Sequence, residues 1–108
     1  MDRTARIRLL NDLLRTTFHG GRIMMTSGVA ALEAEVRAAA LEKLRTFAAF
    51  TEDNDPHGEH DFGDFTVEGV KFFFKFDYYD LRMEFGSEDP GDPTKTTRVL
   101  TLMLAEEY

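Results

Sequence analysis

Between Asp53 and Asp64 the chain reads Asp-Asn-Asp-Pro-His-Gly-Glu-His-Asp-Phe-Gly-Asp. His57, Glu59, His60 and Asp61 fall within five positions, with Asp53 and Asp55 just ahead of them. Imidazole and carboxylate together suit zinc, manganese or non-haem iron. Asp53, Asp55, His57, Glu59 and His60 are therefore the candidate metal ligands. Neighbouring side chains of an extended loop point apart, so an ion would take two donors from this loop and a third from elsewhere. Asp77 and Asp80 are the nearest candidates for that third donor. Imidazole also titrates near neutral pH without help from its surroundings. This makes His57 and His60 candidate general acid–base groups, with Asp61 as orienter, for a metal-dependent hydrolytic reaction. The competing account is structural: the aspartates bond their own backbone and both histidines anchor the loop by hydrogen bonds.

A calcium reading also fits part of this segment. Asp53, Asp55, His57, Gly58 and Asp64 occupy positions one, three, five, six and twelve of a calcium-loop pattern, with Gly at the sharp turn. Against it stand the His at position five, Pro56 at position four and a following strand in place of a helix. No Ser or Thr stands in a nucleophile elbow. Ser27 reads as the N-cap of a helix, and Gly20-Gly21 alone is no phosphate loop. No cofactor is expected; a divalent metal is the alternative.

These residues need elements to hold them. Ile7, Leu10, Leu14 and Phe18 recur at helical spacing, which predicts a helix over 4–18 ended by His19-Gly20-Gly21. Arg8, Asp12 and Arg15 fall on its solvated side. Arg22 to Thr26 is short and apolar and reads as a buried strand. Val36, Ala40, Leu44 and Phe47 form one stripe of a second helix. Residues 51–64 are broken by Pro56, Gly58 and Gly63 and read as irregular. Phe65 and Val67 begin a hairpin that turns at Glu68-Gly69 and returns through Val70 to Tyr79. In that return Phe72, Phe74, Phe76 and Tyr78 share a face with Val70, while Lys71, Phe73, Lys75, Asp77 and Tyr79 take the other. Residues 81–96 carry Gly86, Pro90, Gly91 and Pro93 and form a long loop. Residues 97–106 fit helix or strand; the alternation of Leu100, Leu102 and Leu104 and the β-branched Thr96, Thr97, Val99 and Thr101 favour strand. The expected fold is α+β, with the order α-β-α-β-β-β: two helices on a small, mainly antiparallel sheet. It should occupy residues 1–108 as one domain. The loop 53–64 should pack beside Asp77, Tyr78, Tyr79 and Asp80, with Phe62 anchored in the core.

Composition narrows the function classes. The chain has 108 residues, 43% of them apolar, and no cysteine. Disulfides, zinc–thiolate sites, iron–sulfur clusters and cysteine nucleophiles are excluded, and a cytoplasmic location follows. No stretch reaches the ~18 apolar residues of a membrane span. The net charge is −7, yet residues 1–50 sum to +3 and residues 51–108 to −10. The acidic part repels nucleic acid and attracts basic protein surfaces. Asp77, Tyr78, Tyr79, Asp80, Glu88, Asp89 and Asp92 are the candidate binding residues, with a protein as the expected partner in preference to a small molecule, nucleic acid or membrane.

The segment Asp53–Gly63, the string Phe76-Asp77-Tyr78-Tyr79-Asp80 and the run from Thr97 to Tyr108 together resemble a family of small, largely alphaproteobacterial proteins classed as a domain of unknown function. The likeness extends over almost the whole chain, including Arg22 through Leu32. The resemblance implies no catalytic residues; it implies an accessory role in mobile-element biology. The expectation is a non-enzymatic interaction protein, in its most concrete form an acidic inhibitor of a nucleic-acid-binding host defence protein. The metal-dependent hydrolase using His57 and His60 is the alternative.

Overall fold

Asp2 starts the first helix, because its carboxylate accepts the Ala5 N–H at 2.7 Å and so satisfies a donor the first turn leaves free. The computed structural model describes residues 1–108 and places this helix, α1, at Arg3–Thr17. Phe18 ends it in the left-handed region, with φ of 61°. The chain continues as β1 (Arg22–Met25), α2 (Ser27–Ala30), α3 (Ala34–Thr46), β2 (Phe62–Val67), β3 (Val70–Tyr79) and β4 (Thr97–Leu104), and closes with a 3₁₀ turn at Ala105–Glu107.

The four strands form one sheet in the order β1-β4-β3-β2. β2, β3 and β4 are an antiparallel meander, and β1 lies parallel beside β4. Glu68 and Gly69 both have positive φ, 49° and 79°, which is what a two-residue hairpin of the strands' own twist requires. The fold is thus α+β, with a mixed four-stranded sheet and one short helix, α2, beyond the two expected. The register sets Phe72 opposite Leu104, Phe74 opposite Leu102 and Phe76 opposite Leu100. Phe72, Phe74, Phe76, Leu100 and Leu102 are buried in one cluster with Leu14, Val29, Ala40 and Leu44 from the helices. All three helices therefore cover one face of the sheet. The opposite face carries none.

Four local expectations change. β1 is an exposed edge strand and not a buried one, because β4 flanks it on one side only. Thr26, and not Ser27, caps the helix that follows, its hydroxyl accepting from Val29 N–H at 3.5 Å. Phe62, Gly63 and Asp64 belong to β2, although the glycine suggested a break. A Cβ on Gly63 would lie 2.5 Å from the Phe74 ring and 2.9 Å from that of Phe47, so the glycine makes room for two aromatic side chains. Phe62 points away from the core and packs on Phe73 and Tyr108 on the helix-free face, with ring centroids 5.3 and 5.8 Å away. No helix is long and apolar enough to cross a membrane.

Candidate functional site

The polar residues gather in two places, a buried seam beneath α1 and the helix-free face of the sheet. The seam begins with Asn11, which is fully buried. Its amide donates to the Glu59 carbonyl at 3.0 Å and to the Tyr78 hydroxyl at 2.8 Å, and its carbonyl accepts from Arg98 Nε at 2.7 Å. Tyr78 in turn donates to Glu59 Oε1 at 2.8 Å. Arg98, also buried, stacks its guanidinium over the Tyr78 ring and donates to the Pro90 carbonyl. Burial, followed by the bond to Glu59, pushes the Tyr78 phenol well above its ordinary range, although the Asn11 amide pulls the other way. The phenol therefore stays protonated and serves as a donor. Burial likewise lowers Arg98. The Asn11 amide, the Tyr78 hydroxyl and Arg98 Nε are each matched by another protein atom, the pattern of a group that holds elements together.

The next residue of α1, Asp12, meets His60. The His60 Nδ1 lies 2.8 Å from Asp12 Oδ1, and its Nε2 lies 3.7 Å from Asp55 Oδ2. The imidazole stacks on Phe50 with ring centroids 3.8 Å apart. His60 adopts φ of 56°, fixed by its own N–H donating to Asp55 Oδ1 at 3.0 Å. Beside it the buried Arg15 donates to the carbonyls of Leu44 and Phe47 at 3.0 and 2.8 Å, closing the last turn of α3. Arg8 donates to Gly58 at 2.9 Å. Arg8 and Arg15 are thus not a solvated pair: both clamp segments from the middle of the chain.

The expected metal and catalytic set does not assemble. His57 and Asp53 are exposed, while Glu59 turns inward to Tyr78. No group of three or more His, Asp or Glu side chains is placed to hold a metal ion. Asp61 is half-buried; burial and then the charge of Glu59 raise its carboxyl above the ordinary 3.8. It makes no contact that would orient either imidazole. Asp64, the twelfth position of the calcium pattern, pairs with Lys71 at 3.4 Å.

The expected packing of this loop against residues 77–80 holds at Tyr78 alone. Asp77 and Tyr79 lie on the other side of the sheet, where Asp77 pairs with Lys75 at 2.8 Å. Asp80 caps the next turn, accepting from Arg82 and Glu84 N–H at 3.2 and 3.0 Å. His60 therefore meets carboxylates of α1 and of its own loop, and neither Asp77 nor Asp80. Glu88 pairs with Lys95 at 3.3 Å and Asp89 with Arg3 at 3.5 Å. Asp92 accepts from the Thr94 N–H and hydroxyl, which hold its carboxyl below the usual range. Sequence reasoning missed Asn11, Asp12, Arg15 and Arg98 as members of the polar seam. Asn11 offered one signal, an amide between Ile7 and Leu14 on the apolar stripe of α1.

The helix-free face presents different chemistry. Lys75, Asp77 and Tyr79 of β3, Val99 and Thr101 of β4, and Met24 of β1 share it by register. With Arg22 and Met83 they line an open groove of about 400 Å³. At the other end of the face Phe62, Phe73 and Tyr108 form an aromatic cluster. The groove is open, half of its lining is apolar, and its floor holds the Lys75–Asp77 ion pair and the buried Val99.

A family described as "Protein of unknown function (DUF3768)" matches residues 25–107. The match begins at Met25 and ends at Glu107, so it takes in the hairpin, β4, both acidic loops and the groove's β3 and β4 floor, and leaves out α1. Among curated proteins and among solved structures nothing matches.

Proposed function

We propose, for a chain that belongs to the DUF3768 family of proteins of unknown function, that it is a non-enzymatic interaction module that binds a protein partner through the helix-free face of its sheet. The observation behind this reading is the bare face itself. Antiparallel sheets often expose one face to water, but that face is then polar. Here Met24 and Met83, 51% and 37% exposed, flank the half-buried Tyr79 along one groove, with Val99 buried in its floor. Concave apolar surface with a few polar groups is where partners bind. Methionine adds adaptability, since its unbranched thioether repacks easily.

The internal bonds of His60, Glu59 and Asp55 in the seam favour this reading over the hydrolase alternative. The narrower form of the interaction reading takes the partner to be a basic, nucleic-acid-binding protein of host defence and the chain to be a cytoplasmic accessory of a mobile element. It is supported by the −10 balance of residues 51–108 and by the family resemblance. The test is co-purification from the native host with the wild type and with a Met24→Glu, Tyr79→Ala variant. The variant should fold normally and lose the wild-type partner, while a His57→Ala, His60→Ala variant should keep it. A partner retained by the face variant, or metal-dependent turnover lost with the histidines, would reverse the reading.

A further inference from the structure

Directly beyond Tyr79 the chain makes a tight excursion, residues 80–86, that exposes three large apolar side chains at alternate positions. Leu81 is 63% exposed, Met83 37% and Phe85 71%. A mobile loop could hide such residues part of the time; this one cannot. Asp80 N–H donates to the Phe85 carbonyl at 2.8 Å and Met83 N–H to the Asp80 carbonyl at 3.1 Å. The Asp80 carboxylate holds the N–H groups of Arg82 and Glu84 from inside the turn. Tyr79 and Gly86 pair as an antiparallel bridge at its base, backed by Ser87 N–H donating to Tyr78 at 2.9 Å. Met83 sits in the left-handed region at φ of 60°, a conformation costly for a residue with a Cβ and held by the bonds around it. The loop is thus a rigid display in which Leu81 and Phe85 stay mostly uncovered by their own chain, while Met83 lies partly against the groove.

The charges around it say what it fits. Residues 80–92 hold five acidic groups and one arginine. Glu88 is matched by Lys95 and Asp89 by Arg3, which leaves Asp80, Glu84 and Asp92 against Arg82 and the nearby Arg6. Met83 also lines the groove of the helix-free face, so the loop forms one wall of that surface.

We propose that the 80–86 loop is a docking anchor: Leu81 and Phe85 insert together into an apolar cleft in a basic protein surface, and the surrounding carboxylates pair with that surface's lysines and arginines. Large side chains held rigid lose little entropy on binding, which is how a few residues come to dominate an interface. The acidic rim speeds encounter with a basic surface and fixes orientation. This rests on the interaction reading above and names the partner's chemistry within it.

The test places a benzophenone amino acid at position 85 of the full chain, with a second at position 68 as control, and irradiates cells of the native host. The adduct is identified by mass spectrometry, and the partner is then purified and titrated. A basic protein crosslinked at 85 and not at 68 is expected. Its affinity should fall at least tenfold with Leu81→Ser and Phe85→Ser together. Glu84→Gln with Asp92→Asn should slow association several-fold and flatten its salt dependence. The melting temperature should be unchanged with Leu81→Ser and Phe85→Ser, whose side chains are mostly exposed, and should fall only slightly in the charge variant, where Asp92→Asn weakens the bonds to Thr94. A partner that the Met24→Glu, Tyr79→Ala variant loses but the Leu81→Ser, Phe85→Ser variant binds normally would overturn the anchor and leave the face. No adduct at 85, an adduct with a second copy of this chain, or crosslinking to nucleic acid would overturn the proposal itself.

Discussion

Asn11 is the smallest side chain at which the fold can be broken in several places at once. It bridges α1 to β3, β4 and the 51–61 loop through Tyr78, Arg98 and Glu59. Leaving a buried donor without a partner costs about 1–3 kcal/mol. Asn11→Leu keeps the branched shape but adds bulk and strands Arg98 Nε, so it should destabilise the chain by ~2–4 kcal/mol, read as a lowered denaturant midpoint with an unchanged slope. A loss below ~0.5 kcal/mol would show that water replaces the amide and that the seam is not closed. Glu107 offers a test of different sign. Its carboxylate accepts from the Thr26 hydroxyl at 2.6 Å, from Leu104 N–H at 2.8 Å and from Gly28 N–H at 3.1 Å. These bonds, led by Thr26, hold its carboxyl below the ordinary 4.5. A lowered carboxyl contributes stability that is present above the ordinary value and lost as pH falls through the folded-state value. Glu107→Gln should therefore melt earlier than wild type at pH 7, and the two should converge as the pH drops well below 4.5. A gap that persists at pH 2 would mean that packing, not ionisation, ties the C-terminal turn to α2.

At the scale of elements, β3 is what the rest assembles on, since it pairs with β2 and β4 and fills the core with Phe72, Phe74 and Phe76. Removing a buried phenyl costs about 3–5 kcal/mol, which is a large share of a small domain's stability. Phe74→Ala should leave the chain unfolded or aggregated at 37 °C, whereas Phe73→Ala on the helix-free face should cost far less. Gly63→Ala should also destabilise, by ~1–3 kcal/mol, because the added methyl meets the Phe74 and Phe47 rings. Parity of these variants in a thermal melt would mean the register is shifted by one residue.

The same contrast marks what could be read in the chain beforehand. The alternation from Val70 to Tyr79 and the 3.6-residue stripe of α3 are local patterns, and both were legible. The turn at Glu68-Gly69 was legible too, because it rests on two adjacent residues. The fate of Arg15 was not: a charged residue one step off an apolar stripe reads as solvated until α3 brings the carbonyls of Leu44 and Phe47 to it. Phe62 misled for a similar reason. Its direction depends on strand parity from Val67 backwards through Gly63, and the glycine hid that parity. The candidate loop divides by the same logic. His57 and His60 are close in sequence, but one faces water while the other meets Asp12, 48 positions away.

For the whole molecule the decisive quantity is charge. Most of the ion pairs join side chains of which at least one is well exposed, such as Lys71 with Asp64 and Lys95 with Glu88. Pairs of this kind contribute about 0–1 kcal/mol each. They are too few to match the carboxylates, so the chain keeps a net charge of −7, concentrated in residues 51–108. Like charges held in a small volume oppose the compact state, and salt screens them within about 8 Å at physiological ionic strength. Two effects of salt then compete: weakening the ion pairs lowers stability, and weakening the repulsion raises it. With twenty acidic residues against thirteen basic ones, repulsion is the larger. Raising sodium chloride from 10 to 200 mM at pH 7 should therefore raise the melting temperature by a few degrees, and the gain should shrink as the pH approaches the sequence pI of 4.9. A melting temperature that falls with salt would mean the paired charges dominate. In that case the carboxylates around the 80–86 loop would be bound inward, with little field left to steer a basic partner.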